Sequence, residues 1–195
     1  MDFKGASEYI IQRLRSELSP ALHYHCLAHT LDVAEATRRL IETEKITVEA
    51  GILVETAALF HDAGMIYQYA DHESRSAEMA MQILPGFGYS KASLDEVSAL
   101  IMSTRLPQQP HSLHEQVICD ADLDYLGRSD FFINAFKLRL EWQVNGIRST
   151  TLAEWLDIQV DFLGDHQYFT KSAVKLREAT RKSNLAEIIH LLHKS

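Results

Sequence analysis

Cysteine is scarce in this sequence. Cys26 and Cys119 are the only two in 195 residues, and neither their number nor their spacing makes a disulfide framework or a thiolate zinc site. They read as two partly buried, reduced thiols. Long apolar runs are missing as well. None approaches the roughly 18 residues of a membrane span, and the start Met1-Asp2-Phe3-Lys4-Gly5 lacks a signal-peptide pattern. A cytoplasmic protein with no membrane partner is the expectation. Basic residues are outnumbered, 19 Lys and Arg against 27 Asp and Glu, which leaves a net charge of −8. That balance argues against a nucleic-acid backbone as the main partner. It leaves a small anionic substrate open, because a bound cation can reverse the local field.

Alternating strand patterns and Gly-, Ser- or Pro-rich linkers are also absent. Apolar residues instead recur at helical spacing almost everywhere. Ser19-Pro20 closes a first helix, and Thr47 caps a very apolar one running from Val48 to about Asp62, which Gly64 ends. Asp71 or His72 starts another helix that Pro85-Gly86 terminates. Ser90 caps a further one that runs to about Thr104, ahead of the Pro107 and Pro110 loop. Later caps are expected at Ser129, at Thr151 with Glu154 completing a capping box, and at Thr170. The expectation is an all-α, compact, single-domain bundle of about eight helices over residues 1–195. Its chemistry-bearing core spans about 20–130, and C-terminal helices in 131–195 complete it.

Three segments carry chemistry. In Val54-Glu55-Thr56-Ala57-Ala58-Leu59-Phe60-His61-Asp62-Ala63-Gly64, apolar or small residues cover nearly every face, so the helix belongs in the middle of the fold. His61 and Asp62 at its end are costly to bury unpaired, and a metal ion is a partner for both. At a fraying last turn both side chains can converge on one ion. A pairing of the two in a loop is the plainer alternative. Upstream, in Tyr24-His25-Cys26-Leu27-Ala28-His29-Thr30-Leu31-Asp32-Val33, the i, i+4 spacing of His25 and His29 puts them on one helix face. Downstream, in Ile118-Cys119-Asp120-Ala121-Asp122-Leu123-Asp124-Tyr125-Leu126-Gly127, acids alternate with apolar residues. On a helix at least one acid must then face inward.

The order His, His-Asp, Asp resembles the HD superfamily of metal-dependent phosphohydrolases. On that resemblance His29, His61, Asp62 and Asp122 hold a divalent metal ion (Mn²⁺, Mg²⁺, Fe²⁺, Co²⁺ or Ni²⁺). The stretch Tyr24 to Val33 is also similar to the metal-binding helix of cyclic-nucleotide phosphodiesterases, which implies His25 as general acid to the leaving oxygen. Asp165-His166-Gln167-Tyr168-Phe169-Thr170 is similar to the tail of small bacterial HD proteins. Many HD enzymes hold two metals through two further His. Asp71-His72-Glu73-Ser74-Arg75-Ser76-Ala77 resembles the first of those segments and makes His72 a candidate second-metal ligand. The second segment falls near Ile101-Met102-Ser103-Thr104-Arg105, where no His stands.

The implied reaction is hydrolysis of a phosphomonoester or phosphodiester, of a nucleotide above all, with His25 and Asp62 catalytic. Arg75, Arg105 and Lys171 are the candidate phosphate ligands. Two rivals use the same fold: a di-iron oxygenase, which needs the missing His, and a non-catalytic nucleotide-sensing module. Plainer readings cover the rest. His111, His114, His190 and His193 are expected at the surface, and His166 as a loop anchor. Asp32 is expected to support a ligand, and Asp120 and Asp124 to be solvated or supporting. Trp142 and Trp155 read as core or interface, Arg38-Arg39 as a solvated face. A homodimer is compatible with exposed Trp or Phe.

Overall fold

Helix α3 (Val48–Phe60) is the element around which its neighbours are arranged. Thr47 Oγ1 accepts a hydrogen bond from Ala50 N at its start. From Val54 onward only Glu55 fails to be buried, so the helix has no face left for solvent. The computed structural model describes residues 1–194, and no strand occurs among them. The other helices are α1 (Phe3–Glu17), α2 (Leu27–Thr43), α4 (His72–Ile83), α5 (Lys91–Ser103), α6 (Leu113–Asp122), α7 (Phe131–Val144), α8 (Leu152–Asp165) and α9 (Lys171–Lys194). Short 3-10 turns cover Ala63–Ile66, Leu84–Phe87 and Asp124–Gly127. None of the described helices is long and apolar enough to cross a membrane.

The chain divides into two compact units, one of residues 1–19 and 25–122, the other of residues 20–24 and 123–195. In the first, α3 packs on α1, α2, α5 and α6, while α2 also meets α6 and α4 lies along α5. Val54, Ala57, Leu59 and Phe60 form its centre with Val97, Ile101, Val117 and Ile118. In the second, α8 packs on α9, and the 3-10 turn 124–127 packs on both α7 and α9. Its core gathers Tyr24, Tyr125, Leu126, Phe131, Trp155 and Leu163. Trp142 stands edge-on to Trp155 there, 5.3 Å between ring centroids.

Most expected caps form. Ser90 Oγ accepts from Ser93 N, Thr170 Oγ1 accepts from Ala173 N, and Thr151 with Glu154 makes the full capping box. Three expectations need correction. Ser129 caps nothing, since α7 is preceded by Asp130, which makes no side-chain cap bond. Gly64 does not stop α3, which ends at Phe60. Its role is close packing: a Cβ there would lie 2.1 Å from the His72 carbonyl oxygen, so only glycine lets α4 approach. Gly64 N also donates to the buried Ser76 Oγ at 2.8 Å, which fixes α4 against this turn. His25 does not share a helix face with His29. Helix α2 begins at Leu27, and His25 lies in the bend before it. Of the two readings of Asp120 and Asp124, solvated or supporting, burial removes the first: Asp120 is fully buried, and Arg177 donates to both oxygens of the buried Asp124 at 2.7 and 2.9 Å.

Candidate metal centre

Three helices of the first unit deliver the ligand atoms. His29 stands in the first turn of α2, Asp122 is the last residue of α6, and His61 follows the last residue of α3. His61 keeps helical torsions (φ −55°, ψ −39°), while Asp62 leaves them (φ −103°, ψ 8°) and opens the 3-10 turn 63–66. On a continuing helix the two side chains would diverge by about 100°. The break at Asp62 brings both to one point.

Four atoms meet there. His61 Nε2 lies 3.2 Å from Asp62 Oδ2, 3.4 Å from Asp122 Oδ1 and 3.4 Å from His29 Nε2. His29 Nε2 lies 3.4 Å from Asp62 Oδ2 and 3.3 Å from Asp122 Oδ1. Ligand atoms bonded at about 2.0 to 2.2 Å to one ion stand roughly 3.0 to 3.5 Å from each other. The His61 tautomer completes the test. Its Nδ1–H donates to the Ala58 carbonyl at 2.8 Å, so in the neutral ring Nε2 carries a lone pair. That lone pair faces two carboxylate oxygens and another ring nitrogen, while Asp62 Oδ2 is buried without a hydrogen-bond partner. Four potential ligand atoms in a space nearly closed to water suit a cation, and His29, His61 and Asp122 alone already form a group able to hold a metal ion.

Titration of these groups expresses the same conflict. Burial pushes His61 down, but the Asp62 and Asp122 carboxylates outweigh it and hold the ring well above its ordinary value. Burial pushes Asp62 up, and His61, His72 and His25 outweigh it to hold the carboxyl well below its usual range. Asp122 is likewise set by burial against His29 and His61, and ends lowered to about 2.

The HD domain family model matches residues 26–124, about half of the chain. The chain belongs to the HD domain family. As a member it is a metal-dependent phosphohydrolase. The matched span contains His29, His61, Asp62, His72 and Asp122, and begins one residue after His25. Two solved structures are similar in fold. One is a predicted HD superfamily hydrolase from an uncultured Thermotogales bacterium, 22% identical, with TM-score 0.63 over 98% of this chain and 91% of that one. The other is Bacillus subtilis YpgQ in complex with ADP, 20% identical, with TM-score 0.62 over 96% of this chain and 97% of that one. Among curated proteins no match was found.

Around the HD residues the structure gathers some candidates and separates others. His72 opens α4, and its Nδ1–H donates to the Tyr69 carbonyl at 2.9 Å. Its Nε2 then faces Asp62 Oδ1 at 3.2 Å, so the two oxygens of one carboxylate address different histidines. Burial lowers His72 and the Asp62 carboxylate raises it further, leaving the ring above its ordinary value. The His25 ring stands 5.6 Å from Tyr69, 5.5 Å from His72 and 6.1 Å from His29, centroid to centroid. Arg75 lies one turn after His72, over the Tyr67 ring at 4.6 Å and paired with Glu78. Arg105 is half exposed and paired with Asp71, the residue before His72. Lys171 belongs to the second unit, where it opens α9 and is exposed. His111 is exposed, and His114 pairs with Glu96 at 3.0 Å, so neither supplies the missing His. Cys119 lies outside the cluster, with its Sγ–H donating to the Ser103 carbonyl at 3.1 Å, and burial pushes its thiol up to about 12.

Two residues at the site went unnoticed in the sequence. Gln108 Nε2 donates to Asp122 Oδ2 at 3.4 Å, turning the other carboxylate oxygen toward the histidines. Glu73 brings Oε1 to 3.7 Å from His72 Nε2. Gln108 lies in a loop between two prolines, where no periodicity announces which side chain turns inward. Glu73 is acidic in the first turn of a helix, which the helix dipole favours whatever the function.

Proposed function

We propose that the chain hydrolyses a phosphomonoester or phosphodiester of a nucleotide. His29, His61, Asp62 and Asp122 hold one tightly bound divalent ion, and His72 with Asp62 Oδ1 offers a weaker second position. The observation that carries this reading is the meeting of four potential ligand atoms at 3.2–3.4 Å with the His61 lone pair fixed inward by Ala58. When bound, a divalent ion supplies Lewis acidity toward a phosphoryl oxygen and lowers the pKa of a water. The hard carboxylate donors beside two imidazoles suit Mn²⁺, Mg²⁺, Fe²⁺, Co²⁺ or Ni²⁺ better than a closed structural zinc site.

The chain's own groups divide the remaining work. His25, beside the rings of His29, Tyr69 and His72 at the edge of the site, is the proton donor to the leaving oxygen. Arg75 and Arg105 flank His72 in sequence and contact, and each is held by a carboxylate it can exchange for a phosphate. The ADP bound by Bacillus subtilis YpgQ, whose fold is similar, supports a nucleotide as substrate.

The test is a screen on protein stripped of metal and reloaded with each of the five ions. Nucleoside mono-, di- and triphosphates, cyclic nucleotides and a generic phosphodiester are the substrates. Turnover that appears only with metal is the expected result. A stoichiometrically loaded protein inert toward every substrate would contradict the proposal.

A further inference from the structure

Helix α7 is apolar on two opposite faces. Phe131, Ala135, Leu138 and Trp142 form one of them and pack into the core of the second unit. On the other side Ile133 is 61% exposed, Phe136 40%, Leu140 46% and Val144 53%. At 100° per residue these four fall within an arc of about 80°, a single stripe rather than scattered positions. Ile147, 48% exposed, adds a further apolar side chain where the chain turns back over the helix end through its bond to the Trp142 carbonyl. A helix that is apolar on both sides is normally covered on both sides.

We propose that this stripe is the contact between two copies of the chain, with their α7 helices antiparallel across a two-fold axis at Leu140. The spacing itself is self-complementary. Phe136 and Val144 each stand four positions from Leu140 on the helix, with Ile133 one turn before Phe136. An antiparallel pair therefore sets Leu140 against its own copy and Phe136 against the partner copy's valine, with Ile133 carried toward the end of the partner's helix. A two-fold contact demands this kind of symmetry from a single patch. The five side chains leave on the order of 500 Å² exposed per chain, so a pair covers about 1,000 Å² with them alone, the threshold for a specific interface.

Charge agrees with the same partner. Each chain carries −8, so two copies repel over most approaches. On α7 the one acid, Glu141, is buried and accepts from Tyr24 N at 2.7 Å, whereas Lys137 is exposed beside the stripe. No carboxylate of α7 stands at the stripe to oppose its copy. Two acidic chains meet there without like-charge contact along the helix.

The test is sedimentation of the full-length protein from low to high micromolar concentration, beside Leu140→Glu. The wild-type chain is expected at twice its 22.2 kDa. Leu140→Glu sets two carboxylates against each other on the axis and is expected at 22.2 kDa with an unchanged helical circular dichroism signal. A second variant, Leu140→Cys, covers a failure of the first to fold. Made in a Cys26→Ser background, it should be joined by mild oxidation into a covalent dimer, while Cys26→Ser alone under the same oxidant stays uncoupled, since Cys119 is buried. A monomeric wild-type chain, a Leu140→Glu protein that still pairs, or a Leu140→Cys protein that fails to couple would each overturn the proposal.

Discussion

His29 and His61 come from different helices, yet their Nε2 atoms lie only 3.4 Å apart. His61 spends its Nδ1–H on the Ala58 carbonyl, so its Nε2 is a donor only when the ring is charged. Asp62 and Asp122 bring two carboxylate oxygens to the same point and raise the proton affinity of that ring. Without metal a proton holds the cluster together. With metal the ion does so, and the two compete for the same lone pair.

That competition fixes a pH dependence. The raised His61 and His72 values stabilise the metal-free protein fully below the unfolded value of about 6.5, and this stability is lost as pH rises through the folded values. The depressed Asp62 and Asp122 values act in the acid range and leave the neutral window untouched. Metal binding needs the neutral rings. The stabilisation by Mn²⁺ of chelator-stripped protein, read as a rise in Tm, should therefore be larger near pH 8 than near pH 6; it is worth about 2.7 kcal/mol when metal stands at 100 times its Kd. Equal shifts at both pH values would contradict this account.

His25→Asn separates binding from proton transfer. His25 lies beside His29 and His72, 6.1 and 5.5 Å between ring centroids, and is not one of the four proposed ligands. Metal content per chain should stay at the wild-type level, while kcat falls by about 10²- to 10⁴-fold. A variant that loses its metal would make His25 a supporting residue instead.

His72→Ala distinguishes the two oxygens of Asp62. Oδ2 faces His29 and His61, and Oδ1 faces His72. The tight ion should remain at one per chain by elemental analysis, while turnover drops roughly 10- to 100-fold. Loss of the tight ion itself would show that His72 belongs to the first position.

Gly64→Ala tests how the histidines are brought together. The added Cβ would meet the His72 carbonyl oxygen at 2.1 Å and Ser76 N at 2.9 Å, both backbone atoms that cannot swing aside. A loss of about 3 kcal/mol is expected in chemical denaturation, the upper end of overpacking costs. A change below about 0.5 kcal/mol would mean that α4 shifts freely, contrary to the Gly64–Ser76 bond.

Much of this was legible in the sequence. Helical spacing and the absence of strand alternation gave the all-α class, and the largely apolar or small residues from Val54 to Phe60 marked the central helix. The ordered His29, His61-Asp62 and Asp122 pointed to one site because buried His and Asp need a partner. What stayed hidden depended on where helices begin. The i, i+4 spacing of His25 and His29 suggested one face, but α2 starts at Leu27, between them. Alternating acids left Asp124 ambiguous until Arg177, 53 residues later, supplied its partner. Gln108 was invisible for a similar reason, since a loop has no period to show which side chain turns inward.

The most direct measurement compares metal content and hydrolysis in the same preparations of wild type and Asp62→Ala. Asp62 touches both His29 and His61 with one oxygen and His72 with the other, so nothing else in the cluster replaces it. The account predicts that bound metal and turnover disappear together, each by more than about 100-fold, with the helical signal retained. An Asp62→Ala protein that lost its metal and still hydrolysed the substrate would contradict it.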